Sequence, residues 1–432
     1  MLDSPQARPE TPKRALDQDL LQKLRDYARE VHGDEVRLLK ELAAIPAPTG
    51  HEEKRAQFVA RWLRDCGATN VRIDEVHNVI CLLEGHPRGE GTEGGAAKPA
   101  YAPGQADVPD QSPRPVRVFA AHTDIVFDDT ETLPEEVRGR RLYAPGVGDD
   151  TANLVALLSA CHFLLTHPKA YARATREADL LVVANTCEEG LGNLEGTKTL
   201  FGALEEAERQ VAAFFSFDLY IPQVISRAVG SERWSITVSC QGGHSYQDFG
   251  RPNAIEVLCR IIERLYALPL PVDPADGAHT TRNVGTITGG TTVNAIAARA
   301  TARFEYRSES SANLAAMQEA LRKVIADAQE DLGAEGTVEL KVIGIRPGSG
   351  DVDQARLKAL SERTAALIHT VTGETPDRSP ASTDANVPLS LGIPAVTVGA
   401  VHGSLLHTRD EWVDLPSLIN GLVIVLGLML EV

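Results

Sequence analysis

Apolar residues recur along this chain at two periods, and the changes of period divide it. From Leu16 to Val31 the spacing of Leu20, Leu21, Leu24, Tyr27 and Ala28 is helical, and a second helix is expected from about Glu35 to Ala44, ending before Pro46. In IPAPTGHEEK, Thr49 stands three residues before Glu52, a capping-box pattern that should open a third helix running through Trp62 to Cys66. Three helices are thus expected ahead of the first strand. Residues 71–73 and 79–83 read as strands, and an alternation of apolar strands and helices follows later: VRVFAA at 116–121, the helical TANLVALLSACHFLL at 151–165, DLLVVAN at 179–185 and VAAFFSF at 211–217. Continuous apolar strands between helices are what a largely parallel sheet covered on both faces requires.

The pattern changes near Val229. RWSITVSC, a helix from about Ala254 to Leu265, RNVGTITG, the long alternating ATARFEYRS, a helix from about Leu314 to Leu332 and VELKVIG give a βαββαβ order. After Pro347 the first pattern returns, with a helix from about Asp353 to Val371, a strand PAVTVGA at 394–400 and a closing apolar helix. The expected architecture is α/β: a mostly parallel, doubly covered sheet in a discontinuous domain of residues 1–226 and 345–432, interrupted by an inserted α+β domain at 227–344. No internal repeat or coiled-coil heptad is visible.

Composition narrows the class. A chain of 432 residues is long enough for two domains, and 43% apolar with 24% charged residues is ordinary for a globular protein. Residues 1–15 are polar and read as a loose tail. Residues 86–115 are dense in Gly, Pro and Ala, too poor in apolar anchors to offset their ordering entropy, and are expected to form a disordered or loosely held loop. A formal charge of −17 and a pI near 5.2, with no compensating Lys/Arg run, argue against nucleic acid as a partner. The apolar run Leu418 to Leu430 is too short to cross a bilayer comfortably and is expected to be a buried terminal helix, so no membrane association is expected. The N-terminus lacks an apolar stretch after its charges, and the six cysteines are scattered singly, which suits buried thiols in a reducing, cytoplasmic setting.

Candidate chemistry gathers where strands end. His122-Thr-Asp124 follows VRVFAA directly; one imidazole nitrogen could meet a metal while Asp124 takes the other N–H, although a plain turn has the same pattern. GVGDD brings Asp149 and Asp150 to a helix entrance, more carboxylates than an N-cap needs, and one of them could bridge two cations. Glu188 and Glu189 follow DLLVVANTC, where adjacent side chains diverge, so one can ligate while the other acts as a base; a solvated acid pair is the plainer alternative. Asp218 follows VAAFFSF, and His407 lies in HGSLLHTRDEW before the last helix. Each is unremarkable alone. Their shared placement at strand ends and helix entrances puts them on one edge of the expected sheet.

The order HTD, GVGDD, EEG, FD and a late His, with an insertion between the last two, resembles the dizinc peptidase and deacylase family of peptidase T, carboxypeptidase G, the aminoacylases and succinyl-diaminopimelate desuccinylase. The likeness runs from about Glu35 onward. It implies that Asp149 bridges two metals through a cis bond to Asp150, that His122 and Asp218 complete one metal and Glu189 and His407 the other, and that Glu188 is the base with Asp124 behind His122. Two divalent ions are implied, zinc by preference with cobalt or manganese acceptable to the same donors. GGHSYQDFGRPNA resembles the segment whose His reaches the partner subunit's site, so His244 is expected to stabilise the oxyanion in a homodimer built through the insertion. GGTTVNAIA and FEYRS suggest Asn294 and Arg307 as substrate contacts, although the family's Asp-x-Arg is here Glu305-Tyr-Arg307, and STDAN at 382–386 should also lie near substrate. The stretch GVGDD to TCEEGLGNLEG resembles the tripeptidase branch more than the deacylases. The expected activity is therefore an aminopeptidase on short peptides, with an N-acyl-amino-acid deacylase, desuccinylase or carboxypeptidase as alternatives. A non-catalytic binding module should have lost a ligand or the base, and this chain has lost neither.

Overall fold

The computed structural model describes residues 16–85, 113–274 and 277–431. The tail at 1–15 and the loop at 86–112 lie outside them. The chain begins with one helix, α1 (Gln18–Ala43), where two were expected: it runs unbroken through His32-Gly33-Asp34. A helical glycine costs roughly 1 kcal/mol relative to alanine, but Leu21, Leu24, Leu38, Leu39 and Leu42 lie buried along the same helix together with Ala28, each leucine contributing roughly 1.5–3 kcal/mol of burial. Asp17 caps its start by accepting from the Leu20 N–H at 3.0 Å.

The capping box before α2 (Glu53–Asp65) does not form, and the helix has no side-chain cap. Thr49 Oγ1 donates instead to Asp124 at 2.9 Å. Glu52 Oε1 accepts from the Gly50 and Cys187 N–H groups at 2.8 and 3.0 Å. Both polar side chains are recruited by the loops at the sheet edge, a competition that local spacing cannot reveal.

The strands β1 (Val71–Ile73), β2 (Val79–Leu83) and β3 (Val116–His122) are followed by a wide turn (Val147–Ala152), α3 (Asn153–Thr166), β4 (Asp179–Asn185), α4 (Glu195–Glu206), β5 (Val211–Phe217) and β6 (Val224–Ile225). Next come β7 (Gly230–Cys240), α5 (Ala254–Ala267), β8 (Thr280–Gly289), β9 (Arg299–Ser308), α6 (Ser311–Leu332) and β10 (Gly336–Arg346). The last elements are α7 (Gln354–Thr372), β11 (Ala395–Val398) and α8 (Leu418–Leu430).

Seven strands form the larger sheet in the order β1-β2-β4-β3-β5-β11-β6. The inner four, β4, β3, β5 and β11, are parallel, and the flanking strands pair antiparallel. Alternation along β3 shows the double cover: Phe119 and Ala121 join the core under α1, α3 and α8, whereas Val116, Val118 and Ala120 join the core under α4. α8 is buried as expected, and among the described residues no helix is long and apolar enough to cross a membrane.

β8-β9-β7-β10 form a separate antiparallel sheet, the lid. α5 and α6 cover one face over Trp234, Ile236, Val238 and Phe304, while Ile287 and Val342 on its strands are largely open to solvent. Thus the fold is α/β with a mostly parallel central sheet and an added antiparallel lid. The expectation of mostly buried cysteines is corrected: Cys81 and Cys161 are buried, Cys66, Cys187 and Cys240 only partly, and Cys259 is exposed, none in a disulfide. A small sheet of 136–138, 141–143, 403–404 and 412–414 was not anticipated.

Candidate active site

The carboxyl ends of β3, β4 and β5 deliver His122, the Glu188–Glu189 loop and Asp218 to one edge of the sheet, where an open α/β fold presents its ligand site. The turn before α3 brings Asp149 there, and a loop before α8 brings His407. The bond between Asp149 and Asp150 is cis, as the resemblance implied. Neither aspartate caps α3. Non-glycine residues with positive φ sit beside these groups: Cys187 (56°), Leu219 (66°), Leu405 (68°) and His407 itself (60°). Such backbone persists where surrounding contacts impose it, a common property of functional sites.

Asp149 lies between two imidazoles. Its Oδ1 is 2.9 Å from His122 Nε2 and its Oδ2 is 3.0 Å from His407 Nε2, which is also 3.1 Å from Glu189 Oε1. Asp218, 4% exposed, has an Oδ1 without a hydrogen-bond partner, as does Asp150, whose other oxygen accepts from the His122 main-chain N–H at 2.8 Å. Potential ligand atoms converge within 4.8 Å in three groups: Asp149, Glu189 and His407; His122, Asp150 and Asp218; and His122, Glu188 and Glu189. Asp150 thus accompanies Asp218 more closely than the sequence suggested.

The electrostatics follow from burial. Desolvation and the neighbouring Asp149 push Asp218 up to about 7, and desolvation raises Glu188 well above the usual carboxylate range. His407 is pushed up to about 10 by its contacts with Asp149 and Glu189. Burial pulls His122 down, but Asp150, Asp124 and Asp149 outweigh it and hold the imidazole well above its ordinary value. The same imidazoles hold Asp149 low against its burial. A buried acid cluster that stands on shared protons, with orphaned oxygens on Asp150 and Asp218, is suited to exchange those protons for cations. A carboxylate with one oxygen turned to each imidazole fits a bridge between two ions, and the nitrogen and oxygen donors suit zinc, cobalt or manganese.

The residues behind this edge were largely illegible in sequence. Asp124 accepts the Glu188 N–H at 3.0 Å and the Glu189 N–H at 2.8 Å. His122 Nδ1 is nearer the Asp124 carbonyl (3.1 Å) than its carboxylate (3.4 Å). Glu411 accepts from the N–H groups of Gly146, Gly148 and Asp149 and from the Tyr220 hydroxyl, all within 3.0 Å, clamping the turn that carries Asp149. Arg55, fully buried, donates to Thr123 O and Thr151 Oγ1 at 2.9 and 3.1 Å. Asp384, in STDAN, is buried beneath the site, where Asn185 and Thr197 donate to it, rather than open to a ligand. Arg346 donates to Glu188. Asp124 and the segment of Asp384 were marked in the sequence, and Glu411 lay unmarked beside His407 in HGSLLHTRDEW; Arg55 and Arg346 stood in no marked segment.

His244 and Asn294 lie elsewhere, on an exposed tip of the lid where His244 pairs with Ala295 across a short antiparallel bridge. His244 Nδ1 accepts from the Tyr246 and Gln247 N–H groups at 3.3 Å, and Tyr246, Phe249 and Val293 beside it are 85%, 89% and 100% exposed. Arg307, on β9, pairs with Glu305 at 3.1 Å, and Glu305 also meets Arg233 at 3.4 Å.

Residues 118–431 match the sequence profile of peptidase family M20/M25/M40. The chain belongs to that family. It is accordingly a metal-binding hydrolase of amide bonds, a metallopeptidase in class. A succinyl-diaminopimelate desuccinylase from Corynebacterium glutamicum is 24% identical over 385 residues, covering 88% of this chain and 91% of that protein. Among solved structures, the fold is similar to aminopeptidase PepT from Bacillus cereus (TM-score 0.64, 18% identity, 93% of this chain and 99% of that one). It is also similar to a dinuclear metal-binding M20 peptidase from Bacillus subtilis (TM-score 0.59, 14% identity, 93% and 99%).

Proposed function

We propose that this family member is a dimetal aminopeptidase acting on short peptides, tripeptides foremost. The observation that carries the dimetal reading is Asp149, with one carboxylate oxygen turned to His122 and the other to His407. His122 and Asp218 would hold one ion, Glu189 and His407 the other, with Asp149 shared and Asp150 close behind. Divalent ions bound there supply a water of lowered pKa and polarise the scissile carbonyl. Glu188 takes the proton from the attacking water as the C–O bond forms and delivers it to the departing nitrogen as the C–N bond breaks. Its burial, which raises its proton affinity, suits it to both transfers.

His244 cannot be credited to the same chain's site by any contact the structure contains. Its exposure beside Tyr246, Phe249 and Val293 supports a homodimer in which residues 227–344 act as a lid and pairing unit and His244 serves the partner's oxyanion. Asn294 on the same tip and Arg307 on the lid sheet are the proposed substrate contacts. Zinc is the proposed native metal and the cytoplasm the proposed compartment.

A second reading, hydrolysis of an N-acyl or N-succinyl amino acid, is favoured by the desuccinylase relative. A screen of the zinc-, cobalt- and manganese-loaded protein separates the two. Tripeptides bearing a free amino terminus should be cleaved with a kcat/KM well above that for N-acetyl and N-succinyl amino acids or for dipeptides. Preference for an N-succinyl substrate would replace the aminopeptidase reading with the second one.

A further inference from the structure

Glu188 is gripped by a residue from the lid. Arg346 is the last residue of β10, where it is registered opposite Ser231, and Pro347 follows, so its backbone is set by the lid sheet. Its side chain is 6% exposed. Nη1 donates to Glu188 Oε1 at 2.9 Å, and Nη2 donates to the main-chain oxygen of the same residue. Ser382 Oγ lies 3.4 Å from Nη1. A single ionic contact would fix only a distance, whereas one guanidinium plane spanning both the carboxylate and the carbonyl of Glu188 fixes the orientation of the side chain.

Stability is a weak explanation for this pair, because burying two charges costs about as much as their attraction returns. The setting points to the loop. Arg233 of β7 donates to Gly190 O, and Lys198 donates to Ile345 O at 2.8 Å, so the lid sheet meets the 188–198 segment at several points. Arg346 alone among these reaches Glu188. Resting on the reading of Glu188 as the base, we propose that Arg346 is a positioning residue. It occupies Glu188 Oε1, leaves Oε2 to serve the attacking water, and makes the orientation of the base depend on the seating of the lid strand.

The experiment uses the full-length, metal-loaded protein carrying Arg346→Lys or Arg346→Ala. Lysine keeps the charge but loses the planar fork. Both variants are expected to lose roughly 10²-fold in kcat, the scale of a misplaced catalytic group, with little change in KM, undiminished bound metal and cooperative thermal unfolding. Added guanidinium chloride at sub-denaturing concentration should restore part of the kcat of Arg346→Ala and none to Glu188→Gln. A kcat in Arg346→Lys within about twofold of the parent, loss of bound metal or cooperative unfolding in both variants, or no rescue of Arg346→Ala would each overturn the proposal. The two readings fail separately. Turnover retained in Glu188→Gln removes the base, whereas an inert Glu188→Gln beside active Arg346 variants removes only the positioning role.

Discussion

The edge of the parallel sheet and the tip of the lid carry the candidate groups in opposite ways. At the sheet edge His122, Asp149, Glu188, Glu189 and Asp218 are all nearly or fully buried, and their loops are clamped by Glu411, Arg55 and Asp124. At the lid tip His244 and Asn294 are exposed, and their side-chain hydrogen bonds stay within their own loops. The first region is preorganised by one chain. The second acquires a catalytic surrounding only if something else supplies it, and a second copy of the chain is the proposed supplier.

The sharpest way to break this contrast is at His244. Substituting His244→Ala should lower kcat roughly 10²- to 10³-fold, as loss of an oxyanion donor does, with bound metal unchanged. If the partner's site is served, co-expressing the His244→Ala and Glu188→Gln chains should return about a quarter of parental activity, because half the dimers are mixed and each holds one complete site. A co-expressed sample no more active than its parents would place His244 outside the partner's chemistry.

A smaller effect sharpens the buried side. Asp218 and Glu411 are both raised to about 7 by burial and then by Asp149. A carboxyl whose folded value lies above its unfolded value of about 4 contributes stability below that unfolded value and loses it as pH rises toward the folded value. The metal-free protein should therefore weaken between pH 4 and 7. A bound divalent ion offsets the charge that the buried Asp218 acquires on deprotonation, so the gap in Tm between zinc-loaded and chelator-treated protein should widen by about 2–4 °C from pH 5 to pH 8. A constant or narrowing gap in differential scanning calorimetry would contradict a cation site at Asp218.

The same contrast explains what could be read in advance. β4 and β5 were legible to the residue because strands covered on both faces must be apolar throughout, and the paired acids of CEEG and the single Asp218 stand where those runs stop. The unbroken α1 was not, because Gly33 and its polar neighbours look like a break until the buried face on either side is seen to be continuous. Thr49 and Glu52 misled for a related reason: their partners, Asp124 and Cys187, are distant in sequence. Glu411 and Arg346 had no local pattern at all. Their roles arise from contacts with Asp149 and Glu188 across 262 and 158 residues, which no spacing rule encodes. His244 and Asn294 were singled out only through the resemblance, since an exposed His or Asn carries no burial or periodicity signal.

The central claim is that five ligands hold two ions and that Glu188 moves the proton. Metal content and turnover measured side by side on the parent and Glu188→Gln test it most directly. The account predicts two divalent ions per chain in both proteins, with turnover in the variant lowered by roughly 10²- to 10⁴-fold. Substantial turnover in Glu188→Gln, or a single ion per chain in the fully active parent, would contradict it.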